Sequence, residues 1–388
     1  MADPGNAQFH LTDPRGASDK SGRTFNNPYQ YFFEQMHMDD AIYADESIYE
    51  YPMQQGGGND GRPYSFGRPS SGGSKAAYPC KSYGQGRINP AYFYGVFDPN
   101  DMRRDVSITM TGSNGKGVEK LIPFVPNSKA EGGGLTLNKW DENRQANPWV
   151  AAQRKSGING PYMRMSEVYL GYAEVCAALG DVVTGKQYLK TVRERSFPQG
   201  LADTDGFIAS FGNDLVRAII EERGFEYAGE GDRRWTLIRS GYLPEDIKRI
   251  KDMTKAMMDG LATKGYYEFE NGNIISAYIW TKLVDAKTIY GHRLTAQCPM
   301  DKVNDPVLYP GWRGQKDNWE EMGLNYGNSA PATNLAIKGL FEIVSEEEAA
   351  SLESQGYAKV NWGIDLVDYR DEYDKYLFWD YDYVSAPI

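Results

Sequence analysis

The sequence predicts helical hairpins of the tetratricopeptide kind, set in a chain otherwise made of loops and short strands. Three observations carry this. An apolar period close to 3.6 residues starts at Met165 and runs through the middle of the chain. Glycine occupies 42 of 388 positions, above the usual share of about 7%. Tyr, Phe and Trp number 28, 15 and 8, or 13% aromatic, yet the mean hydropathy is only −0.61. Tyrosine-rich loops laid over a smaller regular scaffold fit those numbers, and suit a binding surface better than a compact enzyme. At 388 residues and 43.6 kDa the length suggests two or three lobes. That is enough chain to bury a core without disulfides or metals.

Residues 1–160 are dense in Gly, Pro, Ser, Asn and Tyr, and 54–74 and 112–117 are loop chemistry throughout. Residues 46–51 and 105–110 alternate polar and apolar positions, predicting short strands with one buried face. From Met165, positions Val168, Tyr169, Tyr172, Val175, Cys176 and Leu179 line one helix face, and Gly180 ends it. A second helix over 184–196 turns Leu189 and Val192 inward and stops before Pro198. So short a turn between them predicts an antiparallel hairpin. A third helix over 205–228 carries Phe211, Leu215, Ile219 and Ile220. The pattern at 243–260 is weaker, 262–334 returns to aromatic loops, and 345–355 is a short acidic helix opened by a Ser cap. The organisation expected is a loop-rich ligand-binding region (1–160), a helical scaffold (161–260), and a loop-rich insertion with the C-terminal segment (261–388), all within one domain.

Lys and Arg total 42 against 53 Asp and Glu, a net charge of −11 with a pI near 5.0, which argues against nucleic acid as a partner. The start, from Met1 to Gly5, shows no basic or apolar leader segment, so no signal peptide is expected. No run of 18 apolar residues predicts a membrane-spanning helix. Cys80, Cys176 and Cys298 form neither a metal pair nor a disulfide framework, and Cys176 reads as core. The GxxxxGK run from Gly180 to Lys186 lacks the following Ser or Thr and the preceding strand of a phosphate loop. His10, His37 and His292 have no metal-ligand spacing, and no GxSxG or HExxH is present. No cofactor or catalytic metal is expected. Asp98, Asn100, Asp101 and Asp105 offer oxygens for structural calcium, but their spacing is not that of an EF-hand and a solvated turn is the better reading.

Two constellations remain. Glu222, Arg223, Glu226, Glu230, Arg233 and Arg234 crowd opposite charges into a short stretch, predicting a structural salt-bridge cluster at a helix end, with Arg223 or Arg233 bridging Glu222 and Glu226. Its rival is a glycoside hydrolase using Glu222 with Glu226, or Asp380 with Asp382, as paired carboxylates. The loop aromatics Tyr64, Tyr78, Tyr92, Trp140, Trp149, Trp280, Trp312 and Trp319 are the candidate ligand contacts, since Tyr and Trp offer a flat apolar face with a polar handle to sugar rings or peptides. Each ring alone pins a loop to the core more often than it meets a ligand. Together they predict an exposed platform.

The blocks at 161–175 (PYMRMSEVYLGYAEV) and 222–237 (ERGFEYAGEGDRRWTL), with Leu189, Val192, Arg193 and Arg195 between them, resemble the SusD/RagB family. So do 45–49 (DESIY), 98–105 (DPNDMRRD) and, near the end, 373–379 (YDKYLFW). The resemblance implies a mainly α fold, an α-α superhelix of tetratricopeptide helix pairs with a loop-rich ligand region. It implies a lipoprotein on the extracellular face of the outer membrane of Bacteroidetes, capping a SusC-like TonB-dependent transporter. Oligosaccharide is the ligand expected, peptide the alternative, and catalysis is not expected. A purely structural lid is a further option. The chain departs from the pattern: it lacks the anchoring cysteine, most of the helical N-terminal half and the usual C-terminal ending, and its 262–360 stretch is long.

Overall fold

The computed structural model describes residues 11, 28–29, 32–33, 46–54, 66–67, 70–71, 84, 86, 88–114, 119–121, 135–140, 156–285 and 333–362. The first part of the chain supplies β1 (Ser47–Tyr51), β2 (Ser70–Ser71), α1 (Pro90–Gly95), α2 (Arg103–Ser107), β3 (Ile108–Thr109), β4 (Thr111–Asn114), β5 (Glu119–Leu121) and β6 (Thr136–Leu137). Asn89 caps α1, its Oδ1 accepting from the Ala91 amide at 2.8 Å, with Pro90 in the first turn. The strand expected over 105–110 is a correction. Residues 103–107 turn as α2, and only Ile108 and Thr109 pair, with β6. Asp105, Ser107 and Thr109 are as buried as Val106 and Ile108, so the alternation there marks no inside and outside.

Strand β7 (Gly160–Arg164) pairs antiparallel with β1 and leads into α3 (Met165–Ala178) and α4 (Val182–Arg195), the predicted hairpin. Met165, Tyr169, Leu170, Ala173 and Cys176 form the buried face of α3, while Leu179 is 82% exposed at the hairpin tip, so the apolar stripe ends one turn earlier than its spacing suggests. Asp181 caps α4 through the Thr184 amide at 3.1 Å. Gly185 lets the two helices close. A Cβ there would stand 2.9 Å from the Ala173 carbonyl oxygen and 3.1 Å from the Ala177 amide nitrogen. The GxxxxGK run is this turn and the start of α4, with Lys186 paired to Asp205.

The single helix expected over 205–228 is two, α5 (Thr204–Ala209) and α6 (Leu215–Glu226). Gly212 and Asn213 both take φ of 65°, which breaks the helix, and Asp214 restarts it by accepting from the Arg217 amide at 3.0 Å. Then come α7 (Asp232–Ser240) and α8 (Leu243–Lys264), a continuous 22-residue helix where the sequence pattern was weak. The loops expected over 262–334 include β8 (Tyr266–Glu268), β9 (Ile274–Ser276), β10 (Ile279–Asp285) and the start of β11 (Thr333–Lys338). Strand β10 lies between β11 and β12 (Ala358–Val360). Helix α9 (Glu346–Ser354) opens at the predicted Ser345 cap, whose Oγ accepts from the Glu348 amide at 3.2 Å.

The fold is mainly α, and among the described residues the apolar interior has three parts. One joins α1, α6, α8 and the strands through Phe93, Tyr94, Phe97, Phe225, Met257 and Trp362. A second fills the α3–α4–α6 bundle with Leu170, Leu189, Val192 and Ile219. The third gathers Tyr29, Phe32, Phe33, Val106, Leu137, Trp140 and Ile158. No helix among the described residues is long and apolar enough to cross a membrane.

Candidate functional site

Where α6 ends, its acidic residues turn inward. Glu226 is fully buried and receives Arg164, Arg195 at 2.5 Å and Arg103 at 3.1 Å. Arg103 reaches Glu222 at 2.7 Å and Asp101 at 2.7 Å, and Arg193 meets the other Glu222 oxygen at 2.9 Å. Glu46 accepts from Arg164 and Arg195, and Glu230 from Arg164 and Lys139. Five cations thus meet five carboxylates in one buried network. Aromatic rings close it off from water: the Arg164 guanidinium sits 4.6 Å from the Tyr227 ring centroid and 5.4 Å from that of Phe32, and Lys139 Nζ 4.8 Å from that of Phe33.

The bridging expected of Arg223 and Arg233 is a correction. Arg223 turns to Asp232 at 2.5 Å, and Arg233 to Glu221 at 2.8 Å and Asp246 at 3.0 Å. Arg103, far away in sequence, bridges Glu222 and Glu226 instead. Arg234 is exposed on α7. Sealed among guanidinium groups, Glu222 and Glu226 are not placed as a glycosidase acid and base, which need access to the substrate and an acid with a raised pKa. Asp380 and Asp382 lie outside the described residues. Asp101 and Asp105 of the candidate calcium turn accept from Arg103 and Arg104, and the Asp98 Oδ1 accepts from the Asn100 amide at 2.7 Å. Among the described residues no group of three His, Cys, Asp or Glu is arranged to hold a metal ion.

The network sets how stability depends on pH. Burial pushes the Glu226 carboxyl up, but Arg164, Arg195 and Arg103 outweigh it and hold the group well below the usual carboxylate range. At Glu230, burial is likewise outweighed by Arg164 and Lys139. Such groups stabilise fully above the unfolded carboxylate pKa of about 4.3, and that contribution is lost as pH falls through the folded values. The thermal midpoint is expected to hold from pH 7 to about 5 and to drop steeply below about 4.3, which scanning calorimetry checks. Lys139 has the same sign in a higher pH window, its folded pKa also lying below the unfolded one. Burial, working against Glu230, lowers it to about 8, so the folded state releases this proton before the unfolded chain does. Lys139 therefore adds stability as pH rises from about 8 towards 10, a rise that Lys139→Met removes.

The predicted ligand rings fare differently from expectation. Trp140 is fully buried in the third core, Trp280 is 4% exposed with its Nε1 3.4 Å from Glu353 Oε1, and Tyr92 packs against the first core while its hydroxyl donates to the Gly224 carbonyl at 2.8 Å. These three are corrections: Trp140 and Trp280 are buried in the interior, and Tyr92 is half-buried with its hydroxyl tied to a backbone carbonyl, so none of them forms an exposed platform. Tyr64, Tyr78, Trp149, Trp312 and Trp319 lie outside the described residues.

Other rings are exposed. Tyr49 and Tyr51 on β1 are 58% and 55% exposed, and Tyr162 on β7 is 70% exposed. Tyr49 and Tyr162 meet edge to face at 5.6 Å. Sequence reasoning missed them, although the alternation in β1 already puts both tyrosines on one face. The patch stands on the charge network. Glu46, just before β1, and Arg164, which ends β7, are joined at 2.9 Å. At the far end Asn159 ties the strands, donating to Glu50 at 2.8 Å and accepting from the Met53 amide at 2.8 Å.

The SusD-like protein P25 of Formosa agariphila is 28% identical over 160 residues, 41% of this chain and 26% of that protein. A SusD homologue of Bacteroides thetaiotaomicron of known structure is 19% identical with a TM-score of 0.44, over 62% of this chain and 49% of that one. Surface glycan-binding protein A of the same organism, solved with laminarihexaose, is 18% identical with a TM-score of 0.38, over 54% and 45% of the two chains. The chain thus spans about a quarter of the curated relative and about half of the solved structures. The model describing the SusD family matches residues 12–310, and with most of its length inside that match the chain belongs to the SusD family.

Proposed function

We propose that the protein captures oligosaccharide without altering it and passes it to a SusC-like TonB-dependent transporter. On this reading it works at the extracellular face of the outer membrane, held by a lipid anchor. The observation that carries the binding step is the Tyr49–Tyr51–Tyr162 patch. Its rings are more than half exposed on strands whose ends are tied into the interior, so a sugar face meets rings whose backbone is already ordered. The known complex of surface glycan-binding protein A with laminarihexaose makes a β-glucan the first ligand to try. Capture without catalysis is further supported by the family match, by the acidic, tyrosine-rich composition and by the burial of Glu222 and Glu226.

Titration calorimetry with a panel of oligosaccharides and peptides tests the reading. Tyr49→Ala combined with Tyr162→Ala is expected to weaken oligosaccharide binding by about tenfold or more, on the order of 1.4 kcal/mol, with the thermal midpoint barely moved. Unchanged affinity in the double variant excludes the tyrosine patch as the site. Binding confined to peptides moves the ligand class, and binding to neither class ends the capture reading. Co-purification with a TonB-dependent transporter tests the delivery step.

A further inference from the structure

A cavity of about 420 Å³ opens between the α1–α2 connection, α5 and α6, and none of the β1–β7 tyrosines lines it. Its size falls in the range of about 300–1,000 Å³ typical of small-ligand pockets. Six charged side chains stand on its wall, and four of them are matched by an opposite charge. Asp101 pairs with Arg103 at 2.7 Å, Glu221 with Arg233 at 2.8 Å, Arg193 with Glu222 at 2.9 Å and Arg249 with Asp246 at 2.5 Å. The other two, Asp98 and Asp203, have no cationic partner among the described residues.

Each of these two carboxylates uses one oxygen on a backbone amide. Asp98 Oδ1 accepts from Asn100 at 2.7 Å and Asp203 Oδ1 from Gly206 at 2.8 Å, which leaves the charge unmatched. A Cβ on Gly206 would overlap Asp203 Oδ2, so glycine at that position keeps room for the carboxylate. The uncharged donors of the wall are committed elsewhere. Asn271 Nδ2 donates to the Tyr94 and Phe97 carbonyls, and Ser210 Oγ to the Phe207 carbonyl. An anion would therefore face two bare carboxylates, and a neutral ligand would leave their charge uncompensated. A metal ion lacks a third ligand, since no group of three His, Cys, Asp or Glu is arranged to hold one among the described residues. Phe207 and Phe211, half-buried and edge to face at 5.2 Å, line the same cavity. Aromatic rings take both an aliphatic stem and the positive charge it carries.

We propose that this cavity binds a small organic cation, a guanidinium or primary ammonium group on a short aliphatic stem. The charge sits against Asp98 and Asp203, and the stem lies along Phe207 and Phe211. Free alkylamines and the arginine or lysine side chain of a peptide share this chemistry. The assignment stands apart from the capture reading, because it uses no residue of the tyrosine patch.

Saturation-transfer NMR of the full chain with n-butylguanidinium and n-butylammonium tests this, with n-butylurea as the neutral probe of the same shape. At least one of the two cations is expected to bind with Kd around a millimolar, the weak range for so small a ligand, and more weakly as salt is added. Asp98→Asn and Asp203→Asn keep an oxygen for the Asn100 and Gly206 amides, so the fold is retained, and each is expected to weaken the cation at least fivefold. The Tyr49→Ala, Tyr162→Ala double variant is expected to bind it as the parent does. Failure of both cations overturns the proposal, as does equal binding of butylurea or an affinity unchanged in both Asp variants. Acetyl-arginine methylamide separates the two sources: binding on a par with butylguanidinium assigns the site to a peptide side chain, and its exclusion while butylguanidinium binds assigns it to free amines. Loss of oligosaccharide binding with the cation site intact would end the capture reading alone.

Discussion

Glu226→Gln is expected to cost about 3–5 kcal/mol of folding stability, enough to leave a domain of ordinary stability substantially unfolded at 37 °C. The side chain accepts from three arginines, and all four groups are sealed from water. The amide keeps the shape and removes the charge, so Arg164 and Arg195 stay buried with only Glu46 and Glu230 to balance them. Glu230→Gln is expected to cost less. It also loses the partner of Lys139, but Lys139, already lowered to about 8, can shed its proton, whereas an arginine cannot. Urea unfolding followed by circular dichroism ranks the two variants. A loss below about 1 kcal/mol at Glu226 would mean that water reaches the network and that these ion pairs behave like surface ones.

The helical part of this architecture was legible because its elements announce themselves locally. Met165 to Cys176 repeat with helical spacing, Pro198 bars continuation, and Ser345 offers a cap, each a property of a few neighbouring residues. Where the sequence misled, the cause was tertiary. The alternation at 105–110 comes from a segment enclosed on all sides, and the break at Gly212 and Asn213 is two left-handed residues inside an otherwise helical pattern. The charge network shows the same limit. Glu222 and Glu226 stood out by their crowding, but Arg103, Arg164 and Arg195 look like any surface cations until the fold folds them inward, and the partners lie 31 to 123 residues away in the chain. Aromatic content predicted that rings would be exposed without telling which. Trp140 and Tyr162 read alike in sequence, and one is fully buried while the other is 70% exposed.

That pair yields the sharpest contrast between scaffold and surface. Trp140→Ala is expected to destabilise the protein by about 3–5 kcal/mol, because the indole is fully buried among Phe32, Phe33, Leu137 and Ile158 and its removal leaves a cavity the neighbours cannot refill. The same core lines the charge network, with Phe32 against Arg164 and Phe33 against Lys139, so the loosened packing also admits water to the ion pairs. The fraction that remains folded at 10 °C is expected to bind oligosaccharide with parental affinity, since the tyrosine patch is carried by other residues. Tyr162→Ala is expected to do the reverse, leaving the unfolding free energy within about 0.5 kcal/mol of the parent while weakening binding. Measuring stability and affinity on both variants separates a ring that builds the fold from one that meets the ligand. Loss of binding in folded Trp140→Ala protein would show instead that the third core sets the geometry of the patch through Arg164, making the network a positioning element for the sugar site as well as a structural one.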